Sequence, residues 1–262
     1  MGLPYQNWLI DMDGVLWRGT QALPGLQAFF ARLRQTNQQF QLVTNNASLT
    51  PQAFRSRLAD FGVDIATSEI LTSAQGTALH LQTLPAPNRR VVMIGGDGLQ
   101  AELQSAGFEL VWDEVPQDVS WVVVGRDDKL SWAKLNRAVR TLQNGARLVG
   151  TNPDATYPTQ QGLEIGNGAI VAALQTASGQ TPLFVGKPEQ HLYQIAMHRL
   201  SATASTTVAL GDRLDTDILG AIRADIASIL ILTGITSEND LAHSTIKPTM
   251  VVSDLIELTS LL

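Results

Sequence analysis

The chain has 262 residues, 44% of them hydrophobic and 16% charged, which suffices for one large domain or two modest ones. Its formal net charge of -6 argues against nucleic acid as a partner, because a phosphate-backbone binder needs a basic face. Cysteine is absent, which excludes disulfides, thiolate metal sites and cysteine nucleophiles, and no apolar run is long enough to cross a bilayer.

Along the chain, short apolar runs alternate with helix-length amphipathic segments. The segments 8–10, 39–44, 91–95, 120–125, 147–150, 206–211 and 228–233 read as strands, and 25–35, 52–62, 132–145 and 189–200 read as helices. Pro24 and Pro51 stand just inside helix starts, and Gly62 and Gly145 just past helix ends. This alternation predicts an α/β fold, a doubly wound parallel sheet. The segment TLPAPNRR (83–90) and the stretch SGQTP (178–182) break the pattern, and what lies between them is long enough for an inserted domain. The start, MGLPYQNW, lacks the basic and apolar regions of a signal peptide, and a cytoplasmic location is the expectation.

Four places carry chemistry. In NWLIDMDGVLWRG (7–19) an apolar run ends in Asp11, followed by Asp13 and the turn-forming Gly14. Ligands of open parallel sheets bind beyond the carboxyl ends of the strands, which is where Asp11 falls. The strand before Thr44-Asn45-Asn46 ends in a hydroxyl and two amides, suited to phosphate oxygens and equally to capping a helix. Lys187 in VGKP stands between a strand and a helix start, where a cation can serve a bound anion. In ALGDRLDTD (209–217) three acids fall within six residues of a buried strand, more than capping requires.

Brought together, Asp11, Asp13, Asp212 and Asp217 would repel one another by about 4 kcal/mol per pair at ~4 Å and an effective dielectric near 20. Such a cluster calls for a cation. The all-oxygen donor set specifies a hard divalent ion, and a site that also takes phosphate suggests magnesium. A carboxylate there can attack phosphorus, with the metal and Lys187 offsetting charge. A second carboxylate two residues on can then protonate the leaving alcohol and deprotonate water. Trp17 and Arg18 follow this loop, and both a leaving-group contact and a packing role fit them.

In that order the four segments resemble the signature of the haloacid dehalogenase superfamily. The motifs DMDGVLWRG, LVTNNAS, VGKP and GDRLDTDILGA, with the stretch from VVVGRDDKL to TNPDATYP, are similar to its NagD-like, para-nitrophenylphosphatase-type branch. The resemblance implies a doubly wound core (1–82 and 179–262) with an inserted smaller α/β cap (83–178) that governs substrate selectivity. It implies Asp11 as nucleophile and Asp13 as general acid/base. Thr44, Asn45 and Asn46 would bind phosphate with Lys187, the last also fixing the nucleophile. A Mg2+ ion would be held by Asp11, the backbone carbonyl of Asp13 and Asp212, with Asp217 behind them. In the cap, TNPDATYP (151–158) and IGNGA (165–169) are either ligand-facing or a structural hairpin.

The expected function is a magnesium-dependent phosphatase for small phosphorylated metabolites, acting through an aspartyl-phosphate, without nucleic-acid or membrane partners. A phosphomutase of the same superfamily and a phospholigand-binding protein are the alternatives, and a homodimer is expected from the resemblance alone. A signalling phosphoacceptor domain has no use for Asp13. One departure stands out: the branch usually has Ala-Gly where this chain has Ala224-Asp225, after a helix, a position where aspartate tolerates the left-handed conformation.

Overall fold

The computed structural model describes residues 3–114, 116–159 and 162–262, and the chain divides into two compact units. The first comprises residues 1–44, 51–71 and 187–262, and the second comprises 45–50 and 72–186.

The first unit is built on a six-stranded parallel sheet. Its spatial order is Met250–Val252, Ala227–Ile231, Thr207–Gly211, Asn7–Ile10, Gln39–Thr44 and Ile70–Thr72. Asn7–Ile10 is central, pairing Ile10 with Leu210 on one side and with Leu42 on the other. Side chains alternate between its faces, as strand geometry requires. Trp8, Ile10, Phe40, Leu42, Val208 and Leu210 pack with residues of the helices Leu26–Gln35, Pro51–Asp60 and Leu255–Leu261. Leu9, Val43 and Ala209 face the helices His191–Leu200 and Leu219–Arg223 instead. A strand covered on both faces has no exposed side, which is why these strands read as largely apolar runs; the buried Gln41 is accommodated by donating to the Ser68 carbonyl at 3.1 Å.

The second unit repeats the design on a smaller scale. Its five-stranded parallel sheet runs Leu183–Phe184, Arg147–Gly150, Trp121–Val124, Arg90–Ile94 and Glu109–Leu110. Val91, Met93, Trp121 and Val123 pack with the helices Ser73–Thr83 and Asp97–Ser105. Val92, Ile94, Val122 and Val124 pack with Trp132–Gln143 and Asn167–Ser178. The unit contains the whole of 83–178 and begins earlier in the chain, because Ala74, Ala78 and Leu81 of the first helix are part of its core. The TNPDATYP segment runs into an antiparallel hairpin, Thr156–Thr159 with Gly162–Ile165.

Helix ends follow most of the sequence signals; Pro24 is the exception, lying outside Leu26–Gln35 with Gly25 between them as N-cap. Pro51 opens its helix, while Gly62 and Gly145 take φ of 79° and 98° just past theirs. Asp225 adopts φ 57° after Leu219–Arg223, as expected for an aspartate standing where glycine is usual. Among the described residues no helix is long and apolar enough to cross a membrane.

Candidate active site

The parallel register of three neighbouring strands determines where the chemistry falls. Asn7–Ile10, Gln39–Thr44 and Thr207–Gly211 all end at the same edge of the first unit's sheet, delivering Asp11, Thr44 and Asp212 there. The Asp11 amide prolongs the ladder by donating to the Leu210 carbonyl at 2.9 Å. Asp11, Thr44, Lys187, Asp212 and Asp217 are all buried.

Lys187 is the hub of this edge. Only 2% exposed, its ammonium donates to Asp11 Oδ1 and to Asp217 Oδ1, each at 2.6 Å, and to the Val43 carbonyl at 3.2 Å. Burial alone would pull the lysine pKa down. The charges of Asp11 and Asp217 outweigh it and push it well above the ordinary value, so Lys187 is a permanent cation. Asp217 follows from a wide helical turn, Leu214–Ile218, and its second oxygen accepts from the Arg213 amide at 3.1 Å. Tyr193 donates its hydroxyl to the Asp217 carbonyl at 3.4 Å, and burial raises its pKa far above the usual phenol range.

Asp212 is held from the other side, its Oδ2 accepting the Ile235 amide at 2.7 Å. Two glycines make room for it. A methyl group on Gly14, already at φ 83°, or on Gly234 would overlap the Asp212 carboxylate. Burial, then the nearby Asp217 charge, raises the Asp212 pKa to about 7. Burial likewise raises Asp11 well above the carboxylate range, against the pull of Lys187.

Ligand oxygens of Asp11, Asp212 and Asp217 lie within 4.8 Å of one another. Once Asp11 and Asp212 have released their protons, three carboxylates against the single charge of Lys187 leave two negative charges, the complement of a divalent cation. Lys187 takes Asp11 Oδ1, Ile235 takes Asp212 Oδ2, and both oxygens of Asp217 are engaged by Lys187 and Arg213. Asp11 Oδ2 and Asp212 Oδ1 are left for a metal, an all-oxygen pair that fits a hard ion such as magnesium.

Asp13 lies apart from this cluster and is exposed. Its Oδ1 accepts the indole N–H of the fully buried Trp17 at 2.7 Å. Arg18 turns outward to the Thr233 carbonyl, whose residue in turn donates its hydroxyl to the Gly14 carbonyl at 2.6 Å.

Asn45 and Asn46 belong to the second unit. The Asn45 amide donates to Asp154 Oδ2 at 3.0 Å, and its carbonyl accepts from Ser73 at 2.6 Å and Asn152 at 2.8 Å. Asn46 Oδ1 accepts the Ser48 amide at 2.8 Å and the Leu49 amide at 3.2 Å, a side-chain turn ahead of the helix Pro51–Asp60 and not a cap on it. In IGNGA, Asn167 is buried and donates to the Val124 and Asn152 carbonyls, so it ties the TNPD segment to the sheet.

With this geometry established, comparison with known proteins is decisive. Residues 8–109 match the family model described as haloacid dehalogenase-like hydrolase, and residues 184–258 match one described as HAD-hydrolase-like. An acid sugar phosphatase of Staphylococcus epidermidis is 36% identical over 251 residues, 96% of this chain and 95% of that protein. The chain belongs to the haloacid dehalogenase-like hydrolase family. Among solved members, NagD from Escherichia coli superposes with a TM-score of 0.89 at 31% identity, covering 97% of this chain and 98% of that one. Glycerol phosphate phosphatase from Mycobacterium tuberculosis, solved in complex with magnesium, has a TM-score of 0.90 at 34% identity over 97% of this chain and 76% of that one. This haloacid dehalogenase-like hydrolase is of the phosphatase type and NagD-like, as its motifs suggested.

Two features of the family member's site were not among the residues singled out in the sequence. Gly234 carried no pattern, being a lone glycine after an apolar strand. Tyr193 sits within an amphipathic helix, where an aromatic reads as core.

Proposed function

We propose that the chain hydrolyses small phosphate monoesters, sugar phosphates among them, by way of an aspartyl-phosphate on Asp11. The observation that supports this most is the buried Asp11–Lys187–Asp217 array, which holds a carboxylate and a permanent cation together at a sheet's carboxyl edge. In the first step the Asp11 carboxylate attacks phosphorus, the ester P–O bond breaks, and Asp13 gives its proton to the departing alkoxide. In the second, Asp13 takes a proton from water as it attacks the same phosphorus, and the P–O bond to Asp11 breaks to release phosphate. Thr44 and Lys187 are proposed to bind the phosphoryl oxygens, Lys187 also keeping Asp11 oriented. A magnesium ion, held by Asp11, Asp212 and the backbone carbonyl of Asp13, would neutralise the charge that otherwise repels substrate from nucleophile. Asp217, with both oxygens occupied, orients Lys187 from behind. The second unit is proposed to set which ester is taken, the role that the resemblance gives the insert.

The test is a rapid acid quench with phosphorus-labelled substrate and magnesium. Label should remain on the wild-type protein, and Asp11→Asn should neither retain label nor turn over. A variant keeping a tenth of the wild-type rate would refute the nucleophilic role.

A further inference from the structure

We propose that Trp17 is a positioning residue for Asp13, fixing the rotamer of its carboxylate and the oxygen from which the proton leaves. The proposal rests on the phosphatase reading above, in which Asp13 protonates the leaving alcohol.

An exposed aspartate ordinarily turns about its side-chain bonds without constraint. Here Oδ1 is bound at 2.7 Å to an indole that has no freedom. Trp17 is 0% exposed. Its ring is stacked on Phe54, with centroids 6.3 Å apart and planes 19° from parallel, and meets Phe61 at 6.1 Å. The Arg57 guanidinium lies 4.4 Å above the ring and donates to the Gly19 carbonyl. Phe54, Arg57 and Phe61 lie at helical spacing along and just past Pro51–Asp60, so one helix face clamps the indole. The backbone closes the same loop: Gly14 donates its amide to the Trp17 carbonyl at 2.8 Å, and Trp17 pairs with Ala22.

Indole N–H is a donor only. Oδ1 must therefore present a lone pair to Trp17, and the proton that Asp13 delivers sits on Oδ2. A cation over the π face also draws electron density from the ring, which strengthens its N–H as a donor. Solvent exposure of Asp13 and total burial of its anchor are complementary: the acid meets the leaving group while its aim is set from within the core.

Trp17→Phe keeps an aromatic ring and removes the donor. Protonation matters most for a poor leaving group, so the variant should lose about tenfold more kcat/KM on an alkyl phosphate such as glycerol phosphate than on 4-nitrophenyl phosphate. Equal losses on both esters, or none, would overturn the positioning role while leaving the phosphatase reading intact. Wild-type protein inert toward both esters would overturn that reading, and the Trp17 assignment with it. If Trp17→Phe fails to fold, Asp13→Ala, which leaves the core untouched, supplies the readout. The Trp17 indole proton resonance should then move upfield and exchange faster with solvent, and an unmoved resonance would show that the bond is absent.

Discussion

Lys187 holds Asp11 on a salt bridge of 2.6 Å inside the first unit, with Asp217 bound at the same distance on its other side. Each of these charges is tolerable in the interior only because the others are present. Replacing the lysine with methionine, close in volume, leaves two buried acids facing each other. Lys187→Met should lose about 3–5 kcal/mol of stability in urea unfolding. Turnover should fall about a thousandfold, since the cation is proposed to serve both nucleophile and phosphate. A stable Lys187→Met protein with wild-type turnover would refute the hub role.

The acid cluster also predicts a pH dependence of stability. Asp212 is raised from 3.8 to about 7, and Asp11 is raised as well, in both cases chiefly by burial. Over that window the folded protein keeps a proton that the unfolded chain has released. The associated stability is therefore full below the ordinary carboxylate pKa and is lost as pH rises through about 7. In the proposed site magnesium would take the place of the proton. The gain in Tm on adding magnesium to chelator-treated protein should widen steadily from pH 4 to pH 7. A gain that is flat, or that shrinks, across this range would count against a metal at these carboxylates.

Gly234 bears on the same acid from outside. Gly234→Ala would push a methyl group into the Asp212 carboxylate. The fold should survive, because Gly234 is only half-buried. Magnesium affinity, read by calorimetry, should fall about 10- to 100-fold. Unchanged affinity would show that Asp212 is not a ligand.

Asp225 offers a change in the opposite direction. At φ 57° and exposed, it carries the strain of a left-handed residue with a side chain. Asp225→Gly should stabilise the protein by about 0.5–1 kcal/mol, or roughly 2 °C in Tm, with kcat unchanged. A fall in Tm would mean that the carboxylate has a use that outweighs its backbone strain.

The strands that carry chemistry were legible because each is buried on both faces and so reads as an apolar run ending at a polar residue. Asn7–Ile10, Gln39–Thr44 and Thr207–Gly211 lie within a residue of their predicted limits. The strands Ile70–Thr72 and Met250–Val252 escaped notice, since three residues are too few to show a period. The hairpin at Thr156–Thr159 was hidden by Pro158, which argues against a strand. The start of the second unit is equally invisible in composition. It depends on which face the helix Ser73–Thr83 buries, and Ala74, Ala78 and Leu81 look like any amphipathic stripe. For Trp17 the sequence offered packing or a leaving-group contact as alternatives, and the structure shows the packing: its ring fills the core while its N–H donates to Asp13.

The crowding of Asp212 between Gly14 and Gly234 has one more consequence. A carboxylate pinned by two stretches of main chain cannot swing to widen its embrace. An ion of larger radius, which needs more donors at longer range, would find a seat that does not stretch. On the proposed magnesium reading, the two missing side chains should make calcium bind this seat more weakly than its smaller congener and support less turnover.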